Sequence, residues 1–256
     1  MVTLPTALVT GGAKRIGAAI SRAFADAGYH VVIHYNRSHT EADALAATLP
    51  SAQTIGCDLL DAEAAAAMVR QLADTLPDWR VLVNNAGIFA ADAVTALDPE
   101  TNQEAMQINA ATPALMAQTF LTAAKSAAGR RVIHLTDQKL ANSNPDFFSY
   151  TMSKHALSAT IAMLAKGACG PHDRVYGLAP GAILPSHDQT PAETEKSHRM
   201  NLLQRKTGPS EVAAAAVFLA DGWLANGETL FVDSGQHLLQ QDRDVIYLAR
   251  QDGTST

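Results

Sequence analysis

Short apolar runs alternate along the chain with longer, alanine-rich segments in which apolar residues recur at helical spacing. This alternation is typical of repeated strand-helix-strand units, which build a sheet of parallel strands. The apolar runs with the length of a buried strand are Ala7–Thr10, His30–His34, Gln53–Ile55, Val81–Val83, Arg131–Leu135, Val175–Leu178 and Thr229–Val232. The segments with helical spacing are Arg15–Ala27, Glu41–Thr48, Ala62–Leu76, Pro99–Ser126, Phe147–Lys166 and Glu211–Ala220. The pattern predicts an α/β fold with a doubly wound, seven-stranded, mostly parallel sheet and helices on both faces.

No change of composition divides the 256 residues, so we predict a single domain over residues 1–256. The stretch 181–209 departs from the alternation, because it is polar and contains Pro185 and Pro191. A long connection of this kind is often functional. Since ligands of such folds bind at the carboxyl ends of the strands, we predict that 181–209 is a substrate-binding lid over a site there.

The composition narrows the class of function. Apolar residues make up 47% of the chain, enough for a sizeable core, and the formal net charge is -6. A negative net charge makes binding to nucleic acid or to an acidic membrane surface unexpected, because a protein binds either of these through a basic patch. Cys57 and Cys169 are far apart and the histidines do not cluster at metal-ligand spacing. We therefore expect reduced thiols, no metal and a cytoplasmic protein that acts on a small molecule.

A glycine-rich turn joins the first predicted strand to the first predicted helix, and it reads Thr10-Gly11-Gly12-Ala13-Lys14-Arg15-Ile16-Gly17. Gly11 and Gly12 permit a tight turn, and the free amides of the following helix can bind a pyrophosphate. Arg15 stands in the first helical turn, where a cation is mildly unfavourable unless an anion binds it. We interpret the turn as a dinucleotide site, although a purely structural turn could carry the same glycines.

The second strand ends in the sequence His34-Tyr35-Asn36-Arg37-Ser38, where NAD-binding folds place an acidic residue on the ribose 2′-hydroxyl. This chain has no acid there. Arg37, with Asn36 and Ser38, instead supplies a cation and hydrogen-bond donors suited to a 2′-phosphate, which predicts NADPH rather than NADH. The alternative is that Arg37 is a solvated surface arginine, in which case the two cofactors would be used equally.

Asp137, Tyr150 and Lys154 are candidates for proton transfer. Tyr150 and Lys154 are four residues apart on a predicted helix and therefore share one face. A nearby cation lowers the pKa of a phenol from its ordinary value of about 10 toward the operating pH of a general acid. Asp137, which follows the fifth predicted strand, would be a third partner. The Tyr-x-x-x-Lys spacing also occurs by chance on solvated helix faces.

Several motifs, taken in chain order, resemble those of the short-chain dehydrogenase/reductase family over nearly the whole chain. They are the glycine turn, Cys57-Asp58-Leu59, Asn84-Asn85-Ala86-Gly87, Asn109, Tyr150-x-x-x-Lys154 and Pro180-Gly181. The resemblance implies a single Rossmann-fold domain, a homotetramer, and catalysis by Asn109, Tyr150 and Lys154, with Asn109 holding a water of a proton relay. It also implies that Asp58 contacts the adenine of the cofactor and that Lys154 binds the nicotinamide ribose. Together with the phosphate-site predictions, it implies a cofactor site formed by Gly11, Lys14, Arg15, Ile16, Tyr35, Asn36, Arg37, Ser38, Asp58, Leu59, Asn85, Ala86, Gly87, Lys154, Pro180 and Gly181.

Two departures from the common family pattern resemble the pteridine reductases, a branch of the family. Arg15 stands where most members have glycine, and Asp137 stands where most have a catalytic serine, 13 residues before the tyrosine. The same resemblance implies that Phe89 stacks on a pterin ring opposite the nicotinamide. It also implies that Arg15, Asp137 and Tyr150 complete the substrate site. Taken alone, a phenylalanine after a strand would be assigned to the core.

An aspartate in the serine position has a chemical reason. Reduction of a ring C=N bond needs a proton at nitrogen as hydride reaches the neighbouring carbon, and an acid supplies it better than a hydroxyl. Thr136 is the alternative replacement for the serine, but neighbours on a strand tend to face opposite sides. We expect an NADPH-dependent reductase that converts a dihydropterin to its tetrahydro form. The alternatives are a carbonyl reductase of the same family, acting on a 3-oxoacyl thioester or a small ketone, and a non-catalytic dinucleotide-binding regulator.

The tail of the chain around Asp244–Tyr247 retains apolar residues that a free terminus would not need. We expect this tail to cover a neighbouring subunit.

Overall fold

The centre of the molecule is a seven-stranded sheet in the order β3-β2-β1-β4-β5-β6-β7. The computed structural model describes residues 4–186 and 188–251, and in this part of the chain every pairing of neighbouring strands is parallel. The strands are β1 (Thr6–Val9), β2 (His30–Tyr35), β3 (Ala52–Gly56), β4 (Trp79–Asn84), β5 (Arg131–Leu135), β6 (Arg174–Pro180) and β7 (Thr229–Val232). The strand order reverses between β1 and β4, and ligands bind at this switch point in such sheets. The predicted doubly wound α/β fold is confirmed.

Helices connect the strands and cover both faces of the sheet. They are α1 (Arg15–Asp26), α2 (His39–Ala46), α3 (Ala62–Thr75), α4 (Pro99–Met106), α5 (Thr112–Ala123), α6 (Phe148–Gly167), α7 (Pro191–Ser197), α8 (Pro209–Asp221) and α9 (Val245–Gln251). Within residues 4–186 and 188–251, no helix is both long enough and apolar enough to cross a membrane.

The apolar core forms two layers because successive side chains of a strand point to opposite faces. Ala7 and Val9 of β1 join the layer that contains α1 and α8, whereas Leu8 joins the layer that contains α3 and α5. Both faces of the central strands are therefore buried, which explains why these strands read as continuous apolar runs.

The region Pro99–Ser126, predicted as one long helical segment, consists of two α-helices separated by a π-helical turn at Gln107–Ala111. Asn109 lies in this turn, and its side chain bonds to Ile88 in the loop after β4 and to Ser153 of α6. Pro113 follows at the start of α5, where it has no amide to donate to the preceding turn. The irregular turn aims Asn109 at the switch point, and such π segments are frequent at functional sites.

Two short helices, α7 and α9, are missing from the sequence-based prediction because seven residues are too few to show a helical period. The helix α7 lies inside the predicted lid 181–209. One residue of that range, His187, lies outside the described residues. It begins with a capping box between Thr190 and Glu193. The helix α9 packs against α7 of its own chain. Val245, Ile246 and Ala249 of this segment are buried within their own subunit, which explains the apolar residues of the tail. The expectation that the tail covers a neighbouring subunit stays a prediction.

Candidate active site

The glycine-rich turn runs from the end of β1 into α1. Gly11 has a positive φ of 59°, and a Cβ added at Gly17 would collide with the carbonyl oxygen of Gly11. These two positions therefore require glycine. Lys14 is the N-cap of α1, and its side chain makes no capping hydrogen bond. The first amides of α1 lack a side-chain acceptor, so they can bind an anion such as a pyrophosphate.

Arg15 and Lys14 lie at the rim of the turn and are exposed. The guanidinium of Arg15 donates from Nη2 to the carbonyl oxygen of Pro185, 3.1 Å away, and so joins the turn to the predicted lid. Lys14 forms an ion pair with Glu41 of α2, with 2.5 Å between Nζ and Oε1. Both cations line the cleft beside the glycine-rich turn.

The loop after β4 forms the floor of the site. Asn85 ties it to the end of β1, because its amide N–H donates to Thr10 Oγ1 and its Nδ2 donates to the Thr10 carbonyl, both at 2.9 Å. Gly87 lies directly above two of the predicted catalytic residues. A Cβ added there would lie 3.0 Å from Oδ1 of Asn109 and 3.7 Å from Nζ of Lys154. Glycine at this position leaves space for a ligand to approach them.

Asp137 and Tyr150 meet at the carboxyl end of β5. The Tyr150 hydroxyl donates to Oδ2 of Asp137 at 2.7 Å. The other carboxylate oxygen accepts the backbone N–H of Lys139 at 2.9 Å, as the cap of a 3₁₀ turn at Gln138–Leu140. Both side chains line the cleft, so the pair is in contact and accessible to a ligand.

Thr136 points away from this pair. It is buried, and its Oγ1 donates to the carbonyl oxygen of Leu178 on β6 at 3.2 Å. Because the side chains of adjacent residues in an extended strand point to opposite sides, Thr136 and Asp137 cannot both face the cleft. The geometry favours Asp137 in the position of the family serine.

Lys154 follows Tyr150 by one turn of α6 and is buried. Its Nζ donates to the carbonyl oxygen of Leu135 at 2.7 Å and lies 5.7 Å from the centroid of the Tyr150 ring. Asn109 is held from the opposite side, since its Oδ1 accepts the N–H of Ile88 at 2.8 Å and its Nδ2 donates to the Ile88 carbonyl at 3.0 Å. The structure thus brings all four predicted catalytic residues to one end of the sheet.

The electrostatics of the site differ from the prediction made from spacing. Burial and the neighbouring Asp137 raise the pKa of Tyr150 well above its ordinary value. Burial also raises the pKa of Asp137, although the Lys139 amide and the Tyr150 hydroxyl oppose the shift. Burial lowers the pKa of Lys154 to about 8, against the charge of Asp137. The expectation that the pKa of Tyr150 is lowered is wrong for this structure, because burial and the carboxylates of Asp137 and Asp244 raise it.

Phe89 stands at the mouth of the cleft with 38% of its surface exposed. Its ring stacks on Phe147 at 4.1 Å between centroids and contacts the Tyr150 ring edge-on at 4.7 Å. Phe89 is therefore not a core residue, and an exposed aromatic face beside the Asp137–Tyr150 pair can stack on a flat ligand.

The residues predicted to contact the adenosine half of a dinucleotide lie beyond the deep cleft. Asn36 and Arg37 are exposed at the end of β2, and Nδ2 of Asn36 donates to Oδ1 of Asp58 at 3.2 Å. Leu59 is buried, and its carbonyl oxygen accepts the hydroxyl of Thr112 at 2.7 Å. The other two predicted residues, Tyr35 and Ser38, flank Asn36 and Arg37 in the chain and are partly buried. The group is continuous with the glycine turn, because the amide of Gly11 donates to His34 of β2.

The cleft has a volume of about 520 Å³. Among the predicted residues, Gly11, Lys14, Arg15, Ile16, Asn85, Ala86, Gly87, Phe89, Asp137, Tyr150, Pro180 and Gly181 line it. Lys154 and Asn109 lie beneath the lining, and the predicted adenosine contacts lie outside it. Ile183, Leu184, Ser186, Gln189, Ser197 and His198, which also line the cleft, belong to the predicted lid 181–209. The sequence-based prediction missed Gln138, Lys139, Gln236 and Asp244–Ile246. The apolar residues of the tail were the one available signal for the last group.

In the described part of the chain, no group of three His, Cys, Asp or Glu side chains could hold a metal ion.

Known proteins share this architecture over nearly the whole chain. FolM alternative dihydrofolate reductase 1 from Brucella suis, solved in complex with NADP, is 35% identical with a TM-score of 0.87, and the match covers 94% of this chain and 98% of that chain. Pteridine reductase 1 of Leishmania tarentolae is 29% identical over 285 residues, covering 92% of this chain and 97% of the relative. Granaticin polyketide synthase putative ketoacyl reductase 2 of Streptomyces violaceoruber is 32% identical over 246 residues, covering 92% and 97%.

The family model described as enoyl-(acyl carrier protein) reductase matches residues 11–237, which is most of the chain and includes every catalytic candidate. The chain belongs to the short-chain dehydrogenase/reductase family, as its ordered motifs predict.

Proposed function

We propose that this protein is an NADPH-dependent reductase that converts a dihydropterin to a tetrahydropterin. The observation that carries the proposal is the hydrogen bond of 2.7 Å between Tyr150 and Asp137 inside the cleft, beside the exposed ring of Phe89. An acid next to an aromatic platform suits a flat nitrogen heterocycle that must be protonated. Similarity to a pteridine reductase and to an alternative dihydrofolate reductase supports the same substrate class.

The residues of the cleft fit NADPH. The amides at the start of α1 have no side-chain acceptor, and glycine at positions 11 and 17 lets the turn close against the start of α1, where those amides can bind a pyrophosphate. Arg37 and Lys14 would bind the 2′-phosphate, Asp58 the adenine, and Lys154 the nicotinamide ribose. When bound, NADPH supplies the hydride. A solved relative that contains NADP supports this cofactor.

The Asp137–Tyr150 pair would supply the proton that the pterin ring needs. Because ionised Asp137 is itself a cause of the raised pKa of Tyr150, the carboxyl loses its proton before the phenol does. We propose that protonated Asp137 donates to a ring nitrogen, that the carboxylate left behind accepts the hydrogen bond of the Tyr150 hydroxyl, and that solvent restores the Asp137 proton before the next turnover. Lys154 and Asn109 would hold the ribose and a water behind Tyr150. Arg15 would bind a polar edge of the pterin.

The second candidate function is reduction of a ketone, either a 3-oxoacyl thioester or a small ketone. The similarity to a putative ketoacyl reductase favours it. In that case Tyr150 would protonate the carbonyl oxygen directly and Asp137 would only orient it. The raised pKa of Tyr150 argues against this arrangement, since a phenol with a neighbouring carboxylate is a poorer acid at neutral pH.

The test is continuous NADPH oxidation with dihydrobiopterin, dihydromonapterin and dihydrofolate, set against a panel of 3-oxoacyl thioesters and small ketones. We expect turnover with at least one dihydropterin and a kcat/KM for the ketones at least about 100-fold lower, the size of a general-acid contribution. Turnover confined to the ketones would establish the second function and exclude the first. NADPH binding without oxidation by either set would indicate a non-catalytic protein.

We further propose that the chain is one domain in which 181–209 acts as the lid, a role supported by the contact between Arg15 and Pro185. A homotetramer is supported by apolar side chains exposed on α6 and α8 or next to them, namely Met163 (67% exposed), Phe218 (42%) and Trp223 (77%). The two free cysteines fit a reducing, cytoplasmic location. Light scattering measures the assembly, and limited proteolysis with and without NADPH tests the lid.

A further inference from the structure

The carboxyl-terminal segment Gln241–Gln251, named the strap here, lies along the substrate end of the cleft of its own chain. Three consecutive strap residues, Asp244–Ile246, form part of the cleft lining. The strap lies outside the residues matched by the family model. Its contacts lead to the two side chains on which the proposed function depends, Asp137 and Phe89.

The first contact is a buried ion pair. Nζ of Lys139 lies 2.7 Å from Oδ2 of Asp244, and the side chains are 3% and 8% exposed. A buried ammonium needs such a partner, because an unpaired charge in this position is strongly destabilising. The backbone N–H of the same lysine donates to Asp137. The strap carboxylate therefore holds the residue whose amide orients the proposed proton donor.

The second contact is a column of aromatic rings. Tyr247 of the strap lies parallel to Phe147 at 6.0 Å between centroids, and Phe147 stacks on Phe89 at 4.1 Å. Phe147 has a positive φ of 55°, a conformation that a bulky residue keeps only when its surroundings hold it. It immediately precedes α6, which carries Tyr150. Packing by Tyr247 therefore supports both the ring that would stack on the substrate and the start of the catalytic helix.

A third set of contacts anchors the strap to the loop between β5 and α6. Both carboxylate oxygens of Asp146 accept hydrogen bonds from the guanidinium of Arg243, at 2.8 to 3.1 Å. One of them also accepts the amide N–H of Asp244 at 2.8 Å. Bidentate pairing of this kind fixes direction as well as distance. These bonds fix the position of the strap relative to the loop between β5 and α6. That loop connects Asp137 to the helix that carries Tyr150.

We infer that the strap is a substrate-positioning element of this enzyme. Asp244 positions Asp137 through Lys139, and Tyr247 positions Phe89 through Phe147. Val245 and Ile246 close the apolar wall around a flat substrate. The inference rests on the proposed function for the identity of that substrate. It predicts that damage to the strap impairs use of the pterin and spares use of NADPH, whose contacts lie at the other end of the cleft.

The experiment compares Asp244→Asn and Tyr247→Ala with two matched controls. Asp242→Asn makes the same charge change two residues away at an exposed position. Tyr247→Phe keeps the ring and removes only the hydroxyl. We expect the two strap variants to lower kcat/KM for the dihydropterin by about 10- to 100-fold, since misplacing a reacting group by about 1 Å has an effect of that size. The KM for NADPH should stay within about twofold, and both controls should behave as the wild type.

Wild-type kinetics for the dihydropterin in both strap variants would overturn the inference, and so would an equal loss of NADPH binding. If Asp244→Asn does not fold, the double variant Lys139→Met/Asp244→Leu removes both buried charges together. Normal pterin kinetics in that folded protein would count against the inference, and impaired kinetics would support it. A wild-type protein that reduces ketones alone would contradict the proposed function, and the same four variants assayed on the ketone would still test the strap.

Discussion

Removing the buried charge of Lys154 should change the stability of the protein in a pH-dependent way. Burial lowers the pKa of this lysine from 10.5 to about 8. At about 1.36 kcal/mol per pH unit, this difference means that keeping the charged form at pH 7 costs the folded protein ~3 kcal/mol. Because the unfolded chain binds the proton more tightly, this cost is present in full below pH 8. It is relieved as the pH rises from 8 toward 10.5.

The substitution Lys154→Met eliminates the titrating group and nearly preserves its length. We therefore expect the free energy of unfolding of the wild type, measured relative to Lys154→Met by urea denaturation at fixed protein concentration, to rise by about 2 to 3 kcal/mol between pH 7 and pH 10. Groups that titrate equally in both proteins cancel in this difference. Loss of the hydrogen bond to Leu135 shifts the variant at both pH values and also cancels to a first approximation.

A difference in stability that does not change with pH would refute this reasoning, because it would mean that Lys154 keeps its ordinary pKa in the folded protein. The pKa of Lys154 should also affect the kinetics of the enzyme. If the ammonium form of Lys154 is the active one, kcat/KM of the wild type should fall as the pH rises above about 8.

The remaining predictions concern individual groups of the cleft. Asp137→Asn should lower kcat by about 100-fold or more and leave the KM for NADPH unchanged, whereas Thr136→Ala should have little effect; the reverse pattern would place the acid at Thr136. Arg37→Ser should raise the KM for NADPH by about tenfold and leave that for NADH unchanged, because a charge-assisted bond to the 2′-phosphate would be lost. Equal changes for both cofactors would contradict that assignment. Gly17→Ala should abolish the rise in melting temperature that NADPH produces in the wild type, since its Cβ would collide with the Gly11 carbonyl.

The strands and most of the helices follow from the sequence because their pattern is local. A parallel sheet buried on both faces produces apolar runs that need no knowledge of the partner strands, and Arg131–Leu135 and Thr229–Val232 match the prediction to the residue. The segment Pro99–Ser126 was less predictable. Its π-helical turn depends on a contact between Asn109 and Ile88, 21 residues earlier in the chain, and no periodicity records such a contact.

In the candidate site, too, features that follow from the local sequence could be predicted, and features that depend on distant contacts could not. Residues that directly follow strands, such as Asp137 and Gly87, could be placed together because the carboxyl ends of parallel strands share one edge of the sheet. The pKa of Tyr150 could not be predicted from spacing, because the spacing reveals the cation at Lys154 but neither the burial nor the distance to the carboxylate. The strap was missed for a related reason, since its ion pair with Lys139 joins residues more than a hundred positions apart.

The position of the acid decides between the two candidate chemistries. A ketone oxygen becomes an alkoxide as it is reduced, and a phenol hydrogen-bonded to a serine can protonate it. In this protein the Tyr150 hydroxyl donates to Asp137, which makes release of the phenolic proton to a ligand harder. Protonated Asp137 is therefore the proposed donor. A carboxyl whose pKa is raised by burial is matched to a ring nitrogen, which gains basicity as hydride reaches the adjacent carbon. On this proposal Asp137→Asn removes the acid itself and leaves the phenol in place, so the loss of activity should fall on the proton-transfer step and spare NADPH binding.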